Sequence, residues 1–412
     1  MAIWHRRYTR KLSPIERASL VLNEFCNYNC DIVVEGHGAL SVDTLRSAVA
    51  RAAHANPGSR VRLRGVLGFS RWVDSGIAPE VREVQAPVWD GRSERGAGFL
   101  EERFNALAGG AICSVLYVRG SPARIVFRAL HAAVDGRSLL HWIAEVFRAL
   151  RGEPLLGSPC TYVEWDIMRK FQDKVNPEAL DAPSTEPSLP VIPCSSLRST
   201  QLRYIWRTVV FPGNIPNVLS KFAIFLARYA RRCAQGRVCF TVPVDLRTLR
   251  EEVLSLGNLT GYLSIPIGPE DGTRDFSRQL SLRVRNHVDC YRPDILKKLP
   301  WVPVRTIRRE IGRSLERSLY ETVPGTMSGG VVSMGNFPLQ NLSTPDFTAS
   351  EVIAIPGFAG KLNVVTIFTQ RHTVTTFAAP ESYNVEGQLD ALLDAFQSEF
   401  GERYTLSAVA AV

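Results

Sequence analysis

A histidine and a carboxylate four residues apart, closing on a glycine, form the sharpest chemical signal in the 412-residue chain: His131-Ala132-Ala133-Val134-Asp135-Gly136. An imidazole titrates near neutrality, so a histidine at the mouth of a strand suits general-base work. A carboxylate one turn later can fix the surroundings of that ring without itself moving protons. The pattern is short, and most histidines serve packing. Its place between a strand and a helix is what singles it out.

The elements that must position it can be read on either side. Ala123–Leu130 is an apolar run led by Ile125, Val126 and Phe127, which reads as a buried strand ending at His131. It pairs as a hairpin with Ile112–Val118 through the connector that begins Arg119-Gly120-Ser121-Pro122. After the bend closed by Asp135 and Gly136, a helical period takes over through Leu139, Leu140, Ile143, Val146 and Phe147, and stops at Gly152 and Pro154. Gly136 lets the backbone turn from the bend into this helix. His141 sits inside the helix and reads as packing, while His5, His37, His54, His287 and His372 carry no partner pattern. The cysteines are dispersed. Cys26 and Cys30 form a C-x-x-x-C pair without a second ligand pair, which reads as reduced thiols and not as a zinc site. No metal and no permanently bound cofactor are expected.

Around this centre the chain divides in two, because 412 residues exceed one ordinary core and fit two domains of about 200 each. Leu12-Ser13-Pro14-Ile15-Glu16-Arg17 opens a capped helix, Cys30–Glu35 reads as a strand, and a helix from Ser41 stops at Asn56-Pro57-Gly58. Residues 172–200 hold five prolines and little periodicity, so the expected division is 1–171, a linker or crossover at 172–200, and 201–412. The second part reads as a strand at Leu202–Val210, a helix from about Asn217 to Ala234, and an apolar strand from Arg237 that ends in Asp245 and Arg247. G-N-L-T-G follows at 257–261 and runs into another apolar stretch. An arginine-rich helix at 303–320 reads as a solvated face. Ser328–Pro338 is a strand, with more near 351–355, 362–368 and 373–378, and a last amphipathic helix covers 386–400.

Hydrophobic residues at 45% and charged residues at 22% are those of a soluble globular protein. The net charge is +9, and only seven of the 49 basic residues are lysines. Arginine suits planar recognition of phosphate or carboxylate, which implies an acidic partner such as a phosphorylated cofactor or an acidic carrier protein. The basic residues are scattered and no nucleic-acid module is present, so nucleic acid is not the expected partner. The amino terminus lacks the apolar run of a signal peptide. The nearest approach to a membrane span, 352–368, is interrupted by Pro356, Gly360 and Lys361. A cytoplasmic protein is the expectation.

Several segments, in this order, resemble the CoA-dependent acyltransferase superfamily: condensation domains of nonribosomal peptide synthetases, BAHD and polyketide-associated acyltransferases, and chloramphenicol acetyltransferase. They are L-S-P-I-E-R and L-S-V-D-T-L-R near the start, H-A-A-V-D-G, V-P-V-D-L-R with G-N-L-T-G ten residues later, and V-V-S-M-G-N-F. Two positions depart from the pattern. Leu130 stands where peptide-forming condensation domains carry a further histidine, and Met334 stands where the V-S-N strand has asparagine. Only Asp346-Phe347-Thr348 echoes the BAHD D-F-G-W-G box.

The resemblance implies an α/β fold of two similar chloramphenicol-acetyltransferase-like halves. Each would be a mixed β-sheet flanked by helices, with an active-site tunnel between them. It implies His131 as general base, Asp135 pointing away from the ring to pair with Arg247, and Ser333 as a candidate for oxyanion or substrate contact. The donor would be acyl-CoA or a phosphopantetheinyl carrier protein, and the acceptor an alcohol or amine in specialised metabolism. The alternative is a catalytically silent condensation-like protein that docks carrier proteins. A third reading is cyclisation or rearrangement of a tethered chain in the same pocket.

Overall fold

The structure, a computed structural model, describes all residues except 1–7, 181–183, 194–201, 233, 251–252, 322–324, 358–359, 385 and 410–412, with side chains beyond 401 also excluded. His5, Cys194, Cys233 and part of the proline-rich segment lie outside the described residues. In chain order the first half supplies β1 (Thr9–Lys11), α1 (Pro14–Leu22), β2 (Asn29–Gly38), α2 (Val42–Ala55), β3 (Val61–Arg64), β4 (Arg71–Asp74), β5 (Glu80–Val84), β6 (Cys113–Val118), β7 (Ala123–Leu130), α3 (Gly136–Leu150) and α4 (Glu164–Phe171). The second supplies β8 (Tyr204–Pro212), α5 (Val218–Ala230), β9 (Val238–Asp245), β10 (Thr260–Ile267), α6 (Thr273–Arg285), α7 (Asp294–Lys298), α8 (Val304–Tyr320), β11 (Gly329–Asn336), β12 (Phe347–Ile355), β13 (Asn363–Phe368), β14 (His372–Pro380) and α9 (Gln388–Val409).

Each half is built on a mixed sheet flanked by helices. The first runs β12-β2-β7-β6-β5, antiparallel except for the β5–β6 pair. The second runs β10-β9-β11-β13-β14-β8, with β11 parallel to both its neighbours. A small third sheet, β1-β4-β3, sits beside the first. Each main sheet has its own core. Ile32–Val34, Ile125–Phe127, Trp142 and Phe147 fill the first, and Phe222, Phe240, Phe377 and Phe396 the second.

Local chemistry accounts for the elements nearest the centre. Ser13 and Glu16 form a reciprocal capping box, with the Glu16 N–H donating to Ser13 Oγ (3.0 Å) and the Ser13 N–H to Glu16 Oε2 (2.8 Å). Helix α3 is capped by Asp135 and buries Leu139, Leu140, Trp142, Ile143, Val146 and Phe147 along one side. Strands β6 and β7 pair antiparallel, as the hairpin reading requires. Helix α8 buries only Ile307 and Leu319, in keeping with a solvated face.

One strand crosses between the halves. β12 comes from the 201–412 region but pairs with β2 at the edge of the first sheet, with a register shift between Ala349 and Glu351. Its Val352, Ile353 and Ala354 are buried in the first core. An apolar pattern marks such a strand but does not say which sheet receives it. The described part of 184–193 is likewise held down: the Leu189 N–H donates to the Arg237 carbonyl (2.8 Å), and Val191 and Ile192 are buried in the second core. No helix among the described residues is long and apolar enough to cross a membrane.

Candidate active site

His131 sits in the first turn after β7, pinned through its main chain from two sides. Its N–H donates to the Tyr28 carbonyl (3.0 Å), and its own carbonyl accepts from Asn258 Nδ2 (2.9 Å). The imidazole stacks on the Tyr28 ring, with centroids 5.1 Å apart and planes 12° from parallel. Nδ1 is buried and makes no hydrogen bond of good geometry, whereas the ring as a whole is half-buried and lines a cavity of about 1420 Å³. Burial pushes the imidazole below the usual histidine pKa, opposed by its own main-chain carbonyl and the charge of Asp135. At neutral pH the ring is therefore uncharged and able to take a proton.

The cavity lies between the halves. Tyr28, Cys30, His131 and Arg137 line it from the first, and Thr241, Tyr262 and Ser333 from the second. Arg313 and Arg317 of α8 also line it, together with Glu310, which pairs with Arg313 (3.4 Å), and Glu316. Tyr262 and the Tyr28–His131 stack therefore share one chamber, which is roomy enough for more than one reactant.

Asp135 does not orient the imidazole through a hydrogen bond. Its carboxylate accepts from the N–H of Ser138 (2.7 Å) and of Leu259 (2.7 Å), and from Arg247 through Nη1 to Oδ2 (3.1 Å) and Nη2 to Oδ1 (3.2 Å). Burial alone would raise the carboxyl. The guanidinium and the two N–H donors outweigh it and hold Asp135 below the usual carboxylate range. Arg247 is occupied elsewhere as well: Nη1 donates to Asp245 Oδ1 (2.9 Å), and Nη2 to the Gly257 carbonyl (3.0 Å). Asp135 caps a helix of one half and Arg247 follows β9 of the other, so the pair clasps the halves. A second cross-link joins them where Arg137 Nη1 donates to the Met334 carbonyl (2.9 Å).

Gly136 departs from its expected reason. Its φ is not in the left-handed region that favours glycine, so the turn alone does not require it. Space asks for little more: a Cβ there would lie 2.7 Å from Met334 Cε, the far end of a flexible side chain that can give way. Met334 is buried at 6% exposure against the histidine bend. Ser333, its neighbour on β11, lines the cavity, and its Oγ accepts only a long contact from the Gly335 N–H (3.4 Å). His141 bonds the Gly157 carbonyl at 3.3 Å and takes no part in the cavity wall. Cys26 and Cys30 are buried and form no disulfide among the described residues, and burial pushes the Cys26 thiol up to about 12.

Tyr28, Asn258, Arg137 and Tyr262 were not singled out from the sequence. Asn258 belongs to the G-N-L-T-G segment, and its hydrogen bond to His131 gives that motif a physical job. Tyr28 lies more than a hundred residues before the histidine, with no spacing that links them.

No protein-family model matches the chain, and no curated protein matches it. Solved structures do. Polyketide synthase associated protein 5 from Mycobacterium tuberculosis is 13% identical, over 94% of this chain and 96% of that one, with a TM-score of 0.61. A variant of the starter condensation domain of rhizomide synthetase RzmA, in complex with C8-CoA, is 15% identical over 90% and 89%, at 0.62. The condensation domain of the Monacolin K polyketide synthase MokA is 12% identical over 95% and 96%, at 0.58. These likenesses extend over nearly the whole of each chain, and the protein has the two-lobed, chloramphenicol-acetyltransferase-like fold of condensation domains.

Proposed function

We propose that the protein is an acyltransferase that moves an acyl group from a thioester, on CoA or on a carrier-protein pantetheine, to an alcohol or amine, with His131 as general base. The observation that carries this reading is the histidine itself. It is uncharged, fixed by its main chain and the Tyr28 face, and it lines a chamber shared by the two halves.

In this reading the acceptor O–H or N–H hydrogen-bonds to the accessible ring nitrogen, since Nδ1 is sealed. As the acceptor attacks the thioester carbonyl, its proton passes to His131. The tetrahedral oxyanion is then stabilised by nearby donors. Ser333 Oγ–H fits that task, since among the described residues its oxygen accepts only the long contact from the Gly335 N–H and its proton has no acceptor. Collapse breaks the C–S bond, and the leaving thiolate takes the proton back from the imidazolium, so no acyl-enzyme forms. Asp135 stays ionised throughout and serves by holding the bend in place.

The donor side rests on charge. Arg313 and Arg317 in the cavity lining suit the phosphates of CoA or of a pantetheine arm, and a similar fold is known with C8-CoA bound. The test is free-thiol release from acyl-CoA and from acylated carrier protein, each with a panel of alcohols and amines. Acceptor-dependent release from at least one donor supports the assignment. Carrier-protein binding without release from any donor favours the silent docking alternative.

A further inference from the structure

We propose that the turn His287–Cys290 is a site for a zinc-class divalent cation, ligated by His287, Asp289 and Cys290. Each offers one ligand atom, and the three atoms all lie within 4.8 Å of one another. Zinc bonds of roughly 2.0–2.3 Å place tetrahedral donors about 3.3–3.8 Å apart. Side-chain adjustments of about an ångström therefore close the set around one ion.

Two of the three residues have unmet needs in the folded chain. Asp289 Oδ1 and His287 Nδ1 are buried with no hydrogen-bond partner, and Asp289 is 3% exposed. A buried carboxylate oxygen left unpaired is costly, and such groups are nearly always satisfied. Among the described residues no arginine or lysine pairs with Asp289, and the ionisable groups it interacts with are His287 and Cys290. Cys290 is fully buried, and its thiol forms no disulfide. A cation answers all three at once.

The donor chemistry narrows the ion. Thiolate with imidazole and carboxylate suits zinc-like metals and not magnesium or calcium, which prefer oxygen alone. Three protein ligands leave the fourth position to water. On binding, the Cys290 thiol gives its proton to solvent and the sulfur takes up the metal. His287 is the half-buried member of the set, and exposed Arg285 and Tyr291 flank the turn.

The location suggests a bracing role. Cys290 packs in one apolar cluster with Leu246 and Leu259, which adjoin Arg247 and supply the N–H to Asp135. β10 passes so close that a Cβ on Gly261 would lie 2.8 Å from the Asp289 carbonyl oxygen. The metal would fix the turn behind the loop that clasps the two halves.

The experiment is a titration of Co²⁺ into the chelator-treated full chain, followed by absorption. The site predicts saturation at one equivalent, a thiolate-to-cobalt charge-transfer band with tetrahedral d–d bands, and displacement by Zn²⁺. Cys290→Ser removes the charge-transfer band and Cys26→Ser leaves it unchanged. His287→Asn weakens binding by at least about tenfold; asparagine tolerates the left-handed φ of 53° at this position, so this variant should fold. Absence of the band in the wild type, or its persistence in Cys290→Ser, overturns the proposal. Should Cys290→Ser fail to fold, unchanged affinity in both His287→Asn and Asp289→Asn overturns it equally.

Discussion

Two buried charge clusters hold the bend between His131 and Gly136, one from each side, and they are built differently. In front, Asp135 and Arg247 meet across the halves, and the carboxylate is matched by a guanidinium and two N–H groups. Behind, within the first half, Arg10 donates to the Ala133 carbonyl (3.0 Å) and pairs with Glu16. Glu164 lies beside them, bonded to Ser13 Oγ. The rear cluster thus has two carboxyls for one guanidinium. Burial, with the charge of Glu16 added, pushes Glu164 up to about 8. The front clasp is an ion pair that stays ionised around neutrality, and the rear one carries a proton.

The two therefore respond to pH with opposite sign. Asp135 is depressed on folding, so its contribution is present above the ordinary carboxyl range and is lost as pH falls through its folded value. Glu164 is raised, so its contribution is complete below the ordinary value of 4.5 and is lost as pH rises toward about 8.

Removing the front cation is the largest expected break. Arg247→Ala leaves Asp135 buried and unpaired and should destabilise the fold by about 3–5 kcal/mol in urea unfolding. A loss below about 1 kcal/mol, the range of an exposed pair, would mean that the clasp does not hold the halves together. Crowding the bend is a smaller insult. Gly136→Ala pushes a methyl against the movable end of Met334 and should cost no more than about 1 kcal/mol. Adding Met334→Ala should recover part of that loss, and strict additivity of the two changes would contradict the contact. The smallest effect sharpens the contrast between clusters. Glu164→Gln mimics the protonated acid, so it should leave stability below about pH 4.5 little changed, exceed the wild type near neutrality, and flatten the decline toward pH 8. A decline as steep as that of the wild type would rule out the protonated rear carboxyl.

What the sequence revealed and what it concealed follow from distance along the chain. The strand Ala123–Leu130, the bend and the capped helix α3 are local, and their periods and turn residues were readable. The Asp135–Arg247 pair bridges 112 positions and came only through resemblance of the motifs around it. β12 was legible as a strand, but its crossing to β2 was not, since strand pairing is non-local. β3, β4 and β5 are only four or five residues long and were not recognised. What a side chain at 136 would meet is a methionine from the other half, which no local pattern encodes. The His287–Cys290 turn has no ligand spacing of a known metal motif, and only its fold brings the three side chains within 4.8 Å of one another.

The central claim is that one imidazole removes the acceptor proton, and thiol release by wild type and His131→Ala between about pH 5 and 8 tests it most directly. The account predicts a drop of about 10²–10⁴-fold in the variant with its melting temperature preserved. It also predicts that the wild type loses activity only below the ordinary histidine pKa of about 6.5, because burial lowers that of His131. A folded His131→Ala protein that releases thiol at the wild-type rate would contradict it.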